Sequence, residues 1–323
     1  MIEIKNLTKL YGTKKAVDNI SFTVNSGEIL GFLGPNGAGK TTTMNIITGY
    51  IGATEGNVLI DGMDTLENPM ECKRKIGYLP EQPPLYIDMT VREYLNFVFE
   101  LKSPDVNKNE HLEDIMDVVK ITDVKDRLIK NLSKGYKQRV GIAQALVGNP
   151  DILILDEPTV GLDPKQIIEI RNVIKELGKN RTVILSSHIL PEVSAICERV
   201  IIINNGKIMA IDTPENLSSK LSGDNRLMIR AEGSQAAIEK ALSKVENLVS
   251  IECMGQKEEG TWDYVIDAKQ GEDIRKKVFA ALASDELAIL MSKTVGLSLE
   301  EVFLQLTTDE GKQAEIKTEG DEQ

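Results

Sequence analysis

The sequence predicts an α/β protein built on a parallel sheet, followed by a smaller α+β domain. A short apolar run at 29–33 leads through a glycine-rich loop into a helical pattern, and a second apolar run at 152–155 ends in two acidic residues. The last third of the chain changes to strands and helices in the order β-α-β-β-α-β. The 323 residues are enough for two or three domains with their own cores.

Strands are predicted on both sides of the first apolar run. Residues 2–7 and 18–25 alternate apolar and polar side chains, with turn residues between and after them. We expect these residues to form antiparallel strands that flank the strand at 29–33. Tyr11 lies between the two, where its ring could stack on a base or pack at the sheet edge, and the pattern leaves both options open.

The glycine-rich loop at 34–42 has the composition of a phosphate-binding loop. Glycines let the backbone bend tightly and turn successive N–H groups inward, next to the positive end of the helix that follows. Lys40 can reach the β- and γ-phosphates of a nucleotide, and the Thr41 hydroxyl can ligate Mg²⁺, which completes the pattern G-x-x-x-x-G-K-S/T. The alternative is an ordinary glycine turn with a surface lysine and threonine. The residues predicted to bind the nucleotide are Gly34, Pro35, Asn36, Gly37, Ala38, Gly39, Lys40, Thr41 and Thr42.

A helical insert is predicted over about residues 88–148. The proline-rich segment at 80–84 stops regular structure, and Gln82 lies there at the junction between the sheet and the insert. Taken alone, the insert could simply be a layer packed on the sheet. Three stretches within it have helical spacing, namely 90–101, 109–120 and 122–131.

The insert ends at a helix start that could bind an anion. Ser133 is placed to cap a helix that runs to about Val147, and Gly135 would allow a close backbone approach. Free N–H groups at such a helix start attract phosphates. Plain capping of the helix explains the same residues, so both interpretations stay open.

Three polar side chains follow two buried strands. Asp156 and Glu157 follow the strand at 152–155, and His188 follows the strand at 182–187. Open α/β sheets bind ligands at the carboxyl ends of their strands. We predict that Asp156 anchors Mg²⁺ and Glu157 faces the water that attacks the γ-phosphorus, while His188 hydrogen-bonds the γ-phosphate. The alternative is a sheet edge with two solvated acids.

The order of these features resembles the ATP-binding subunits of ATP-binding cassette (ABC) transporters over residues 1 to about 218. Residues 34–42 resemble the family's Walker A motif, 132–139 its signature motif and 152–157 its Walker B motif. The other matching positions resemble the Q-loop glutamine (Gln82), the D-loop (161–163), the switch histidine (His188) and the adenine-stacking aromatic (Tyr11).

The signature motif departs from the family pattern at two positions. The family usually has Leu-Ser-Gly-Gly-Gln, whereas here Lys134 replaces the first Gly and Tyr136 replaces the Gln. A lysine near a phosphate would not repel it. We therefore expect function to survive the departure.

The resemblance implies a fold, a reaction and partners. The fold would be a P-loop NTPase, with a RecA-like core, an antiparallel β subdomain and the helical insert. Two copies would pair head to tail around two ATP molecules with Mg²⁺, each ATP held by the phosphate loop of one copy and by Ser133 and Gly135 of the other. Glu157 would be the general base, and Gln82 would link Mg²⁺ and the attacking water to the insert. An integral-membrane permease would press on residues 83–89 and hold the subunit at the cytoplasmic side of the cell membrane.

The domain boundaries follow from the change in pattern near residue 223. We predict an ATP-binding domain over 1–222, a ferredoxin-like α+β domain over 225–306 and a disordered acidic tail over 307–323. The segment at 299–304 resembles the ending of stand-alone ABC ATPases that work with separate export permeases, so the resemblance implies export. We expect the second domain to be regulatory or to support dimerisation.

Composition and charge narrow the alternatives. The formal charge of −12 argues against a nucleic-acid partner, and no apolar run approaches the roughly eighteen residues that span a bilayer. The three cysteines show no metal-binding spacing, and the N-terminus lacks signal-peptide features, so we expect reduced thiols in the cytosol. The other candidates are a soluble ABC-type ATPase acting on ribosomes or DNA, which the negative charge disfavours, and a P-loop kinase, which leaves His188 unexplained.

Overall fold

A computed structural model describes residues 1–222, 226–269, 272–296 and 299–307. The strands in these residues are β1 (Ile2–Tyr11), β2 (Lys14–Val24), β3 (Ile29–Leu33), β4 (Glu55–Ile60), β5 (Met63–Asp64), β6 (Ile76–Leu79), β7 (Ile152–Asp156), β8 (Thr182–Ser187), β9 (Arg199–Asn204), β10 (Lys207–Asp212), β11 (Arg226–Glu232), β12 (Leu248–Gly255), β13 (Thr261–Ala268) and β14 (Ile289–Thr294). The helices are α1 (Lys40–Ile47), α2 (Pro69–Lys75), α3 (Val91–Lys102), α4 (Lys108–Val118), α5 (Lys134–Leu146), α6 (Pro164–Gly178), α7 (Leu190–Ser194), α8 (Pro214–Ser222), α9 (Gln235–Leu242), α10 (Arg275–Ser284) and α11 (Leu299–Thr307).

The chain divides into two compact units. The first holds Met1–Pro214 and the described residues after Gln305, and the second holds Glu215–Gln305. The division therefore falls after Pro214, the first residue of α8, whereas the sequence prediction placed a boundary at residue 222. The reason is local packing, because the Ser218 carbonyl oxygen of α8 lies 3.0 Å from the position that a Cβ would take at Gly296 of the second unit.

The first unit contains the predicted parallel sheet. Its six strands have the order β10-β9-β3-β8-β7-β6, and every pairing is parallel except that of β9 with the hairpin strand β10. All five residues of β3 and of β7 are buried, as expected for strands covered on both faces. Because β3, β8 and β7 are neighbours, their carboxyl ends bring the phosphate loop, Asp156 and Ser187 to one edge of the sheet.

The N-terminal strands lie in a separate antiparallel sheet with the order β2-β1-β4-β5. The expectation that they flank the phosphate-loop strand was wrong, since β3 pairs with β8 and β9 instead. The two sheets share one apolar core, in which the rings of Phe22 and Phe32 lie 5.6 Å apart. The alternating pattern correctly gave the strand type, but it does not encode which sheet a strand joins.

The helical insert contains α3, α4 and α5, and the third predicted helix over 122–131 is not an α-helix. Only two short 3₁₀ turns form there, Thr122–Val124 and Ile129–Asn131. Backbone groups of this stretch bond across the chain, because Val91 N donates to Arg127 O and Ile129 N donates to Met89 O. These bonds use groups that an α-helix would need within itself.

The second unit has the predicted β-α-β-β-α-β order, from β11 through α9, β12, β13 and α10 to β14. Its four strands form an antiparallel sheet with the order β12-β13-β11-β14. The buried core of this unit includes Ile229, Tyr264 and Ile266 of the sheet with Ile238 of α9 and Val278 of α10. The predicted tail over 307–323 lies outside the described residues, apart from Thr307 at the end of α11.

Candidate active site

The phosphate loop joins β3 to α1 at the carboxyl end of the sheet. Gly39 has φ +110°, and a Cβ there would lie 2.5 Å from the Ala16 carbonyl oxygen, so the position requires glycine. Lys40 opens α1 and is buried, with its Nζ donating to Gly34 O at 2.7 Å and to Pro35 O at 3.3 Å. The first turn of α1 carries no acidic residue, so its positive end is available to an anion.

A cavity of about 650 Å³ lies beside this loop, and we call it the phosphate-loop cavity. Most of the predicted nucleotide-binding residues lie at its wall. Gln82 is exposed and does not line the cavity, whereas its neighbour Glu81 does. The lining residues are Tyr11, Lys14, Ala16, Pro35, Asn36, Gly37, Gly39, Lys40, Thr41, Thr42, Glu81, Glu157, Val160 and His188. Gly34 and Ala38 are buried within the loop itself.

Tyr11 lies at the wall of this cavity with about half of its surface exposed, at 52%. The ammonium group of Lys9 lies 5.5 Å from the centre of its ring. Of the two options that the sequence left open, edge packing would bury the ring. The observed exposure therefore favours a ring that is available for stacking.

Asp156 ends β7 and is completely buried. It lies opposite Ser186 of β8 in the sheet register, and the Ser186 hydroxyl donates a short hydrogen bond to its Oδ1. Its other oxygen, Oδ2, accepts no hydrogen bond within the described part of the chain. Burial raises the pKa of Asp156, and the hydroxyls of Ser186 and Thr41 oppose that shift.

Glu157 contacts two other side chains of the cavity lining, His188 and Lys40. Its Oε2 accepts a hydrogen bond of 2.9 Å from His188 Nδ1, and its Oε1 lies 3.2 Å from Lys40 Nζ. The second contact is an ion pair by distance but lacks the direction of a hydrogen bond, so Oε1 counts as an unsatisfied buried oxygen. The backbone of Glu157 has φ +48°, a strained value for a residue other than glycine. The backbone N–H of Glu157 donates to Ser186 Oγ at 3.0 Å, which helps to hold this conformation.

The donor set fits a magnesium ion. Mg²⁺ prefers hard oxygen ligands, and here a buried carboxylate oxygen of Asp156 without a partner lies near the Thr41 hydroxyl. The next residue along the chain, Glu157, also has a buried oxygen without a hydrogen-bond partner among the described residues, its Oε1. Gln82, the third predicted ligand, is exposed and lies outside the cavity lining.

Ser133 and Gly135 lie elsewhere in the same unit. Ser133 caps α5 by accepting a hydrogen bond of 3.4 Å from Tyr136 N, so the predicted cap is confirmed. Both residues line a second cavity of about 320 Å³, which we call the signature cavity. The other lining residues are Lys120, Asp123, Tyr136, Arg139, Gln166 and Glu169. Because the two cavities share no residue, Ser133 and Gly135 do not contribute to the phosphate-loop cavity of their own subunit.

Both departures in the signature motif have structural partners. The Tyr136 hydroxyl donates to Asp123 Oδ2 at 2.8 Å, and its ring lies under the guanidinium of Arg139 at 5.6 Å. The side chain of Lys134 crosses Gly161, where an added Cβ would lie 2.1 Å from Lys134 Nζ. The D-loop glycine therefore makes room for the lysine of this variant motif.

The sequence interpretation missed the role of Ser186 and the presence of Glu81. Ser186 hydrogen-bonds both Asp156 and the backbone of Glu157, a role that a hydroxyl at the end of a buried strand beside the acidic strand could have suggested. Glu81 lies in the proline-rich segment, and nothing in its pattern distinguishes it from Gln82.

No helix in the described parts of the chain has both the length and the apolar character needed to cross a membrane. This agrees with the absence of a long apolar run in the sequence.

A glycine loop with a buried lysine, and two acids at the end of a neighbouring parallel strand, define a P-loop nucleoside triphosphatase. Residues 17–160 match the family model described as "ABC transporter". The chain is 32% identical to the linearmycin resistance ATP-binding protein LnrL of Bacillus subtilis over 95% of its own length and 98% of that protein. It is 41% identical to the bacitracin transport ATP-binding protein BcrA of Bacillus licheniformis over 65% of its own length and 68% of that protein.

Solved structures give the same result. The chain resembles an ATP-binding cassette determined as a dimer in a post-hydrolysis state with ADP and phosphate, with a TM-score of 0.61 and 28% identity over 66% of this chain and 98% of that one. The chain therefore belongs to the ATP-binding proteins of ABC transporters. It is an ATP-binding subunit of the ABC ATPase class, and the predicted P-loop fold is confirmed.

Proposed function

We propose that two copies of this chain close head to tail around two ATP molecules and that the cycle of closure and hydrolysis powers export through a separate integral-membrane permease. The observation that carries the proposal is the separation of the two cavities within one subunit. A capped helix start with a close-approach glycine suits a phosphate, and the phosphate loop of a second copy would supply one. Solved cassettes in dimeric form support the pairing.

In this proposal, the phosphate loop holds ATP through its backbone N–H groups and Lys40. The buried ammonium of Lys40 would bond the β- and γ-phosphates in place of the Gly34 and Pro35 carbonyls. Tyr11, exposed at the cavity wall, would stack on the adenine. Ser133 and Gly135 of the second copy would close on the γ-phosphate.

Mg²⁺ would be held by the Thr41 hydroxyl and Asp156, with Gln82 joining them on closure. When bound, the ion supplies charge neutralisation on the β- and γ-phosphates. Asp156 is suited to this task because one of its buried oxygens has no other partner in the described residues.

Glu157 would act as the general base. It accepts a proton from water as the water oxygen bonds to the γ-phosphorus, and the bond from that phosphorus to the bridging oxygen breaks to leave ADP and phosphate. His188 Nδ1 donates to Glu157 Oε2 and the ring lines the cavity, so His188 would orient the base, and its other ring nitrogen, when protonated, would donate to the γ-phosphate.

The permease would press on residues 83–89. Tyr86 and Ile87 are half exposed there, and the Tyr86 ring lies 5.2 Å from that of Phe97. Pro83 packs directly on α5, since a Cβ at Gly141 would lie 3.0 Å from Pro83 Cγ. A push on this surface would therefore reach α5, the helix that Ser133 caps. Glu81, which lines the phosphate-loop cavity, would transmit the push to that cavity.

The named relatives support export and a location at the membrane. These relatives include proteins named for bacitracin transport, linearmycin resistance and lipopolysaccharide export. We infer that this subunit lies at the cytoplasmic side of the cell membrane, held there by its permease. The second unit would regulate the cycle or support the dimer.

Purification of the tagged chain from native membranes tests this function. A multi-span membrane protein should co-purify with the wild type and should be lost with Tyr86→Glu, which places a charge in the apolar surface. Leu66→Glu is the matched control, because Leu66 is also exposed and lies outside residues 83–89. Recovery of ribosomes or DNA in place of a membrane protein would overturn the proposal.

A further inference from the structure

Glu192 is a buried carboxylate that the reaction described above does not use. Only 5% of its surface is exposed, although it lies in the short helix α7 just after His188. Its Oε2 accepts a short hydrogen bond from the Thr159 hydroxyl, and its Oε1 has no hydrogen-bond partner among the described residues. Burying such a group is costly, so its position calls for an explanation.

Thr159 belongs to the same turn as the proposed base. It is 3% exposed and follows Glu157 by two positions, between β7 and α6. Val160 N donates to Glu157 O at 3.3 Å, and Leu162 N donates to Thr159 O at 3.2 Å. A displacement of Thr159 would therefore move the backbone of Glu157.

Side-chain hydrogen bonds connect the ends of β7 and β8, and the segments that follow them, at three successive places along the chain. Ser186 bonds Asp156 and the backbone of Glu157, and His188 bonds the Glu157 carboxylate. Glu192 bonds Thr159 at the third place, and neither of these two residues lines the phosphate-loop cavity. The third join thus lies behind the groups that would face ATP.

The strained backbone of Glu157 explains why the hydrogen bond between Thr159 and Glu192 would be needed. A residue with φ +48° returns to a relaxed conformation unless its surroundings hold it. The titratable groups around Glu192 are Arg171 of α6, Glu157 and His188. Burial raises the pKa of Glu192, and the Thr159 hydrogen bond and Arg171 oppose that rise. The side chain is thus enclosed by both of the segments that it joins.

We propose that Thr159 and Glu192 are positioning residues for ATP hydrolysis, and that their hydrogen bond holds the Glu157 turn in register with the His188 segment. The inference rests on the proposed role of Glu157 as the base. The pair does not touch the substrate and acts only through Glu157 and His188. Its loss should therefore slow hydrolysis without weakening ATP binding.

Steady-state ATPase kinetics and equilibrium ATP binding of the purified full chain test the proposal. Thr159→Val and Glu192→Ala should each lower kcat about tenfold, less than the roughly hundredfold loss that a 1 Å misplacement can cause, with ATP affinity within about twofold of wild type. Thr159→Ser and Glu192→Gln keep a donor and an acceptor and should retain the wild-type kcat. Thr182→Val is the matched control, because it removes another buried hydroxyl at the opposite end of β8.

A second measurement separates positioning from general loss of structure. In a Glu157→Gln background, Thr159→Val should cause no further loss of the residual rate, because the group through which it acts has gone. A further loss there, or equal losses of kcat and ATP affinity, would overturn the proposal. If Glu192→Ala does not fold, the near-isosteric Thr159→Val decides the matter.

The same variants distinguish failure of the proposed base, Glu157, from failure of the proposed role of Thr159 and Glu192. Wild-type hydrolysis by Glu157→Gln would defeat the proposed base and this inference together. An inactive Glu157→Gln enzyme with fully active Thr159→Val and Glu192→Ala enzymes would defeat the inference alone.

Discussion

The two cavities of the first unit differ in whether their charged groups have hydrogen-bond partners. At the phosphate-loop cavity, Glu157 of the lining and its chain neighbour Asp156 are both buried, and each keeps one oxygen without a hydrogen bond in the described chain. In the signature cavity, the Tyr136 hydroxyl bonds Asp123 and the guanidinium of Arg139 bonds Glu169. One cavity holds strained and unsatisfied groups, whereas the other is satisfied by its own side chains.

This difference indicates that the two cavities have different roles, one in catalysis and the other in binding a phosphate. Unsatisfied buried charges and a left-handed backbone are costly, and they persist where they perform chemistry. A satisfied cavity around a helix start needs only to present N–H groups to a phosphate. The contrast suggests that hydrolysis belongs to the first cavity and that the second closes on the nucleotide from another copy.

The largest effect is expected at Glu157. Removing a general base lowers the rate by about 100- to 10,000-fold, so Glu157→Gln should lose kcat by that range while still binding ATP. Hydrolysis and ATP binding of the purified protein measure both quantities. Glu176→Gln on the exposed face of α6 is the control and should behave as wild type. Substantial turnover by Glu157→Gln would remove the contrast between the cavities.

Lys40 should dominate binding in the same cavity. Lys40→Ala should raise the Kd for ATP by roughly 10- to 150-fold, the equivalent of a hydrogen bond to a charged group. Lys14→Ala is the control, because Lys14 lines the same cavity but is exposed, and screening by water should leave only a small effect. Similar losses for both lysines would show that the cavity attracts ATP by net charge alone.

The signature cavity should affect the rate but not the binding of ATP to a single subunit. Ser133→Asp keeps a good helix cap and adds a negative charge that repels a phosphate, so we expect an about tenfold lower rate with unchanged ATP affinity. Ser133→Asn keeps the cap without the charge and should stay close to wild type. A matching loss of ATP affinity in dilute protein would place Ser133 at the ATP site of its own subunit.

The smallest effect is expected on stability, at Asp156. Burial raises the pKa of this carboxyl in the folded protein, so the protonated form is favoured there and stability falls as pH rises from the unfolded pKa to the raised folded pKa. Asp156→Asn cannot ionise and should raise the unfolding free energy at neutral pH by about 1 kcal/mol, with a weaker dependence on pH. Denaturant unfolding at several pH values measures this, and a less stable variant at every pH would contradict it.

Local patterns in the sequence predicted much of the fold and of the site. The glycine loop, the acids after β7 and the cap at Ser133 lie within short segments whose chemistry is readable from neighbouring residues. The structure brings Lys40, Glu157 and His188 together as the sheet order requires.

What the sequence did not predict depends on contacts between distant segments. Apolar spacing over 122–131 suggested a helix, but its backbone groups bond to residues near the start of α3. The bond from Ser186 to Asp156 joins β8 to β7, and the bond from Thr159 to Glu192 joins the segments that follow these strands, about 30 residues apart in the chain. The choice between Glu81 and Gln82 at the cavity depends on the conformation of a proline-rich loop, which periodicity does not encode.

Mixing two impaired variants tests most directly whether each ATP site is shared between two copies. A symmetric head-to-tail pair contains two sites, each with the phosphate loop of one copy and Ser133 of the other. In a mixed dimer of Lys40→Ala and Ser133→Asp, one site carries both changes and the other carries neither. An equal mixture should therefore recover about a quarter of the wild-type ATPase rate, since half of the dimers are mixed and each has one intact site of two. A rate no higher than the average of the two separate variants would contradict the account.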